Sequence, residues 1–99
     1  MDRIPPITVL TEHTCRYLAK AGRRVSNAEI DQAVIASLGI PQELLEDVQS
    51  GNRTVFQYRM AWARTKAKSL GFAISPAKTY WESTPLNDQM IIRSNFSIN

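Results

Sequence analysis

Arg53, Arg59, Arg64, Lys66, Lys68 and Lys78 fall in a stretch between Asp47 and Glu82 that contains no acidic residue. Arginine and lysine stay protonated at neutral pH, so this run suits the binding of anions better than proton transfer. The same stretch carries a helical pattern and then a hairpin pattern. A helix and a hairpin in one positive field are the parts with which a small domain grips nucleic acid.

The residue types that catalysis would need are scarce. His13 is the only histidine and Cys15 the only cysteine. A structural zinc site takes four such ligands. A Mg²⁺-dependent nuclease takes carboxylates and a lysine converging on the metal, and no Asp/Glu-x-Lys triplet occurs. Cys15 has no base besides His13, and residues two apart do not face each other on a helix. The expectation is a chain without catalysis, metal or cofactor. Cys15 reads as a small apolar filler, and His13 as an ordinary helix residue.

Three helices and a hairpin must position the basic run. The first helix is expected over Pro6–Ala21, with Ile7, Leu10, Thr14, Tyr17, Leu18 and Ala21 on one stripe and Gly22 as its stop. Val9 and Cys15 lie off that stripe, which calls for a second packing surface. Ser26 and Glu29 have capping-box spacing at the start of the second helix. Its inner face is Ile30, Ala33, Val34, Ser37 and Leu38, and Gly39 ends it. A short turn of helix follows Pro41, through Leu44 and Leu45 to about Val48. Ser50-Gly51-Asn52 is the clearest loop. Thr54 and Gln57 form a second capping-box pattern, opening a third helix with a core stripe of Phe56, Met60, Ala63, Ala67 and Leu70. Phe72–Ser75 and Thr79–Glu82 read as two strands around Pro76-Ala77-Lys78. This order predicts a mainly α fold with a small β-hairpin, a winged helix of the helix-turn-helix type. Its third helix would enter the major groove and its wing would lie alongside.

Helical spacing then assigns the candidate contacts. Thr54, Gln57, Tyr58, Ala61, Arg64 and Thr65 fall on the side away from the core stripe and make the groove-facing surface. Arg59, Lys66 and Lys68 border it as phosphate contacts. Arg53 stands before the helix cap, where the helix-end amides favour phosphate, and Lys78 sits at the hairpin tip. Two of these have rival tasks. Gln57 can be spent on the capping box, and Arg64 can pair with Glu29 or Asp31 to fix the helix. Trp62 reads as structural, packing the wing or another helix. Arg23 and Arg24 can touch flanking backbone or remain solvated.

The wider composition agrees with a small folded domain. The chain has 99 residues, 43% of them hydrophobic, and a net charge of +3. The sign is uneven. Residues 1–50 hold five basic and seven acidic residues, and residues 51–99 hold seven basic and two acidic. No stretch has the length and apolarity of a signal peptide or membrane span. With a single cysteine, the compartment expected is the cytoplasm. Residues 1–87 are read as the DNA-binding domain. Residues 88–99, with Met90, Ile91, Ile92, Phe96 and Ile98, are read as a tail that covers the core, makes a homodimer contact or leads to another domain.

The segment Ser50–Phe72 resembles the N-terminal winged-helix domain of Mrr-type restriction proteins. Trp62-Ala63-Arg64-Thr65 and Gly71 match that family's pattern of a Ser-Gly loop, a helix with Trp-Ala-Arg-Thr and a Gly-bounded turn into the wing. Tyr80-Trp81-Glu82 followed by Thr84-Pro85-Leu86 resembles its second wing strand and exit. The resemblance spans roughly Ile7 to Leu86 and is specific over Ser50–Thr84. It departs at Asn87, where the family often has glycine. It implies binding of double-stranded DNA within systems that attack foreign, often methylated DNA, in proteins where a nuclease domain follows. The chain has no room for that nuclease. The readings that stay open are a stand-alone transcriptional regulator and a protein-interaction module that has lost DNA binding. The resemblance and the side chains of the third helix also suggest sensing of modified cytosine. Its 5-methyl group would touch Ala61, the Thr65 methyl, or the planes of Tyr58 or Arg64. Flipping of the base is not expected, since the large residues look committed to the core.

Overall fold

The computed structural model describes residues 2–98, with side chains as far as Arg93. The elements are α1 (Ile7–Ala21), β1 (Val25–Ser26), α2 (Asn27–Leu38), α3 (Gln42–Leu45), β2 (Val48–Ser50), β3 (Arg53–Thr54), α4 (Val55–Ser69), β4 (Ala73–Ala77), β5 (Tyr80–Ser83) and α5 (Pro85–Ile98). The protein is mainly helical with a small antiparallel sheet, compatible with the expected winged helix. No helix among the described residues is long and apolar enough to cross a membrane.

Local chemistry sets most boundaries. Pro6 is the N-cap of α1 in an extended conformation, so the helix starts one residue later than the proline pair suggests. Ser26 and Glu29 close their capping box, as do Thr54 and Gln57. Gly22 and Gly39 end α1 and α2 in the left-handed conformation, which costs a residue without a Cβ little.

The core lies where α1 crosses α2 and α4. Leu10, Leu18, Ile30, Val34, Met60, Ala63 and Ala67 are fully buried there. Burial of each large apolar side chain contributes about 1.5–3 kcal/mol. The expected stripes hold with two exceptions. Ser37 is exposed, and its hydroxyl meets His13 Nδ1 at 2.7 Å. Leu70 is also exposed, because α4 stops at Ser69 and Gly71 turns the chain at φ +84°. The Phe72 amide then donates to the Ala67 carbonyl, and the half-buried Phe72 ring packs against the core.

The sheet has three strands in the order β1-β5-β4, one more than the hairpin alone. Val25 pairs with Trp81 and Ser26 with Tyr80, so two residues before α2 complete the sheet. A two-residue β1 has no periodicity to betray it. The hairpin turn is shorter than Pro76-Ala77-Lys78. Ala77 pairs with Tyr80, leaving Lys78 and Thr79 as the turn. Pro76 sits inside the edge strand β4, where its missing N–H is tolerated, and the register shifts there. Ser75 Oγ bridges the irregularity with bonds to the carbonyls of Ala77 and Tyr80.

The segment read as a tail from residue 88 belongs to a helix that begins at Pro85. Residues 85–98 are a helix, α5, packed on α1. Thr84 caps it, accepting from the Asn87 amide at 3.2 Å, and Pro85 occupies the first turn. Asn87 is 1% exposed, and its Nδ2 donates to the Cys15 carbonyl at 3.0 Å and to Ser83 Oγ at 2.7 Å. Cys15, off the main stripe of α1, is thus buried on a second face that α5 helps to cover. Leu86, Met90 and Ile92 remain exposed, while the side chains of Phe96 and Ile98 lie outside the described residues. Asn87→Ala should remove both bonds and destabilise the fold by about 1–2 kcal/mol. The melting temperature should then drop by about 5–10 °C in a thermal unfolding scan.

Candidate nucleic-acid interface

The structure divides the six cations of the acid-free stretch into two groups. Arg59 and Arg64 are occupied inside the fold. Arg59 donates to the carbonyls of Ile4 at 2.6 Å and Pro5 at 3.2 Å, pinning the N-terminal segment to α4. Arg64 donates to Asp31 at 2.7 Å, with side chains 11% and 24% exposed. Burial raises the Asp31 carboxyl above its ordinary value despite the nearby guanidinium, and burial lowers Arg64. The Asp31 alternative weighed for Arg64 is therefore the one the fold adopts, and it ties α4 to α2.

Arg53, Lys66, Lys68 and Lys78 are exposed, and none of them pairs with an acid among the described residues. Arg53 lies over the Tyr58 ring, 5.9 Å from its centre, a cation–π contact between the residue before the α4 N-cap and the first turn of the helix. Arginines outside the stretch are mostly neutralised. Arg16 meets Glu12, Arg23 meets Glu29 at 2.8 Å, and Arg24 approaches Glu82 at 3.6 Å. Arg23 and Arg24 are thus engaged with carboxylates instead of standing free.

The face of α4 opposite its core stripe is open to solvent, with Tyr58, Thr65 and Ser69 exposed, Ala61 half-buried, and Lys66 and Lys68 exposed on its two flanks. Thr54 and Gln57 are partly consumed by capping. Thr54 Oγ1 accepts from the Gln57 amide at 3.1 Å, and Gln57 Oε1 accepts from the Thr54 amide at 3.0 Å. The Gln57 side-chain NH₂ has no partner among the described residues. The Thr65 hydroxyl donates back to the Ala61 carbonyl at 3.0 Å, so its methyl is the group without a hydrogen-bonding task.

Trp62 is 51% exposed and does not serve the wing. It lines an apolar groove of about 580 Å³ between α4 and the start of α1, with Ile7, Thr8, Thr11, Thr65, Lys66, Ser69 and Leu70. The expectation that every large residue is committed to the core fails at this position. The wing's own tryptophan, Trp81, donates from Nε1 to Asn27 Oδ1 at 2.6 Å. The Asn27 amide donates to the Thr79 carbonyl at 2.9 Å. Thr79 has φ +65°, the one described non-glycine residue in that region, and this bond to the start of α2 helps hold its turn. Lys78 is therefore carried on a turn fastened to the second helix.

Sequence reasoning missed a second small ribbon. Val48 pairs with Thr54 and Ser50 with Arg53, so the loop Ser50-Gly51-Asn52 is the tip of a two-stranded element that leads into α4. Its base closes where the Val55 amide donates to the Asp47 carbonyl at 2.8 Å. The signal was present in Gly51-Asn52, a turn dipeptide flanked by strand-compatible residues.

The remaining candidates have structural duties. Cys15 is buried, and desolvation, with Glu12 nearby, pushes its thiol up to about 11. Among the described residues no group of three or more His, Cys, Asp or Glu is placed to hold a metal ion.

Comparison with known proteins gives one result. The family model described as the Mrr N-terminal domain matches residues 10–91. No curated protein and no solved structure matches the chain. That match runs from Leu10 in α1 to the first half of α5, including the Trp62–Thr65 run, and the chain belongs to the Mrr N-terminal domain family.

Proposed function

We propose that this chain binds double-stranded DNA as the target-recognition part of a restriction system. Family membership supports the restriction-system setting. The observation that carries DNA binding is the set of four exposed cations, Arg53, Lys66, Lys68 and Lys78, unpaired with acids in a stretch without acidic residues. Phosphate is the anion such a distribution fits, since a helix and flanking ribbons can follow a duplex backbone. Tyr58, Ala61, Thr65 and the Gln57 NH₂ would face base edges. Arg59 and Arg64 drop out of the contact set because the fold uses them. A gel-shift titration with duplex DNA at two salt concentrations tests the reading. Absence of a complex at low salt would leave the protein-interaction alternative.

Recognition without cleavage is part of the same proposal. The purified chain should leave DNA intact with Mg²⁺ or other divalent ions. Cleavage that survives repurification and disappears on substitution of one of its residues would overturn this. A nuclease fused to the same protein would supply cutting.

Modified cytosine is the finer proposal. A 5-methyl group in the major groove would touch Ala61, the Thr65 methyl or the Tyr58 ring. One buried methyl contributes roughly 1 kcal/mol, which predicts a five- to tenfold preference for methylated over unmethylated duplex of one sequence. Competition binding across sequence contexts measures it, and equal affinity in all contexts would reject it.

A further inference from the structure

We propose that the β2–β3 ribbon, Val48–Thr54, enters the DNA major groove beside the first turn of α4, while the β4–β5 wing serves as a brace. This rests on the DNA-binding reading above and assigns a contact that reading leaves open.

The two hairpins differ in what holds them. The wing is fastened at its tip and along its length. The Thr79 carbonyl accepts from the Asn27 amide, Trp81 Nε1 donates to Asn27 Oδ1, and β1 pairs with β5. Its tip is tied to the start of α2, so Lys78 can offer charge at a fixed place but cannot follow a groove. The β2–β3 ribbon is exposed from Val48 through Arg53, with Val48 65% exposed. Its side chains make no hydrogen bond to the rest of the fold before Thr54. A core-forming role would leave less of it bare.

Charge and position give the ribbon its partner. The acids Glu43, Glu46 and Asp47 end at its first residue, and none follows until Glu82. Arg53, its one cation, is steadied over the Tyr58 ring, on the open face of α4. The ribbon runs directly into the N-terminus of α4, so whichever groove receives that helix end also receives the ribbon. The major groove is wide enough for a two-stranded ribbon, and it displays the thymine methyl that an apolar Val48 can touch. Gly51, at φ +55°, gives the tight turn that keeps the tip narrow.

The test uses the full chain and a duplex that the wild type has selected from a random-sequence pool. Val48→Asp should weaken binding about tenfold or more, through charge and a lost apolar contact in the groove. Gln32→Glu, the same charge change at an exposed site on α2, should change it less than about twofold. Circular dichroism of both variants checks the fold, and the exposed Val48→Ser serves as the milder replacement. Dimethyl sulfate footprinting reads the groove, because it attacks guanine N7 in the major groove and adenine N3 in the minor groove. Wild type should protect a block of guanine N7 atoms, and the Val48 variants should lose part of that block. Unchanged affinity and protection in the folded Val48 variants would overturn the ribbon's role while leaving DNA binding standing. Protection confined to adenine N3 would overturn the major-groove assignment. Failure of the wild type to select any duplex would overturn the DNA reading and the ribbon's role together.

Discussion

Duplex binding should fall roughly a hundredfold between about 50 and 200 mM salt. The reasoning runs from the count of free cations. Arg53, Lys66, Lys68 and Lys78 are exposed without acidic partners, while Arg59 and Arg64 are bonded within the fold. Four phosphates neutralised give a slope of about −3.6 in a plot of log affinity against log salt, because each contact releases most of one counterion. All six cations would give about −5.4 and a loss of roughly two-thousandfold. The slope therefore measures how many of the six touch DNA. Arg53→Ala, Lys66→Ala, Lys68→Ala and Lys78→Ala should each flatten it by about one unit wherever the residue contacts phosphate. A flat salt dependence in the wild type would remove the basic stretch from the interface.

Asp31→Asn should lower stability by about 3 kcal/mol and the melting temperature by about 10–20 °C. The substitution keeps the shape and removes the charge opposite Arg64, whose side chain is 11% exposed and bonded at 2.7 Å to Asp31. A charge left alone in that position has lost water without gaining a partner. The intact pair is not a large net stabiliser, because both charges give up water when packing brings them together. The double replacement Asp31→Leu with Arg64→Met should therefore recover most of what the single change loses. Thermal unfolding of the three variants checks both points. A double variant as unstable as Asp31→Asn would mean the pair is worth more than its cost of burial.

Much of the architecture is legible in the chain because it depends on neighbours three or four residues apart. Ser26/Glu29 and Thr54/Gln57 specify two helix starts through bonds they make to their own backbone. The Phe56, Met60, Ala63, Ala67 spacing specifies a buried face. The helix at the C-terminus was equally local in origin, since Thr84-Pro85 is a start signal. Its apolar residues alone do not fix which neighbour the helix covers.

The candidate site was legible as a distribution of charge and illegible as a set of contacts. Absence of acid between Asp47 and Glu82 is a property of the sequence, and so is the match to the Mrr N-terminal domain over residues 10–91. Which cations are free is a property of the tertiary structure. Arg59 meets carbonyls more than fifty residues away, and Arg64 meets Asp31 on another helix. The two-residue β1 exists only because β5 lies beside it. The same packing divides the Trp62-Ala63-Arg64-Thr65 run: Ala63 is buried, Arg64 holds α2, the Thr65 hydroxyl bonds its own helix, and Trp62 stays exposed. Periodicity and capping act within one turn of chain, so the sequence by itself determined the helices, the family and the sign of the field. Long side chains choose partners across elements only after packing brings those elements together, so the tertiary structure alone decided which charges remain to meet a ligand.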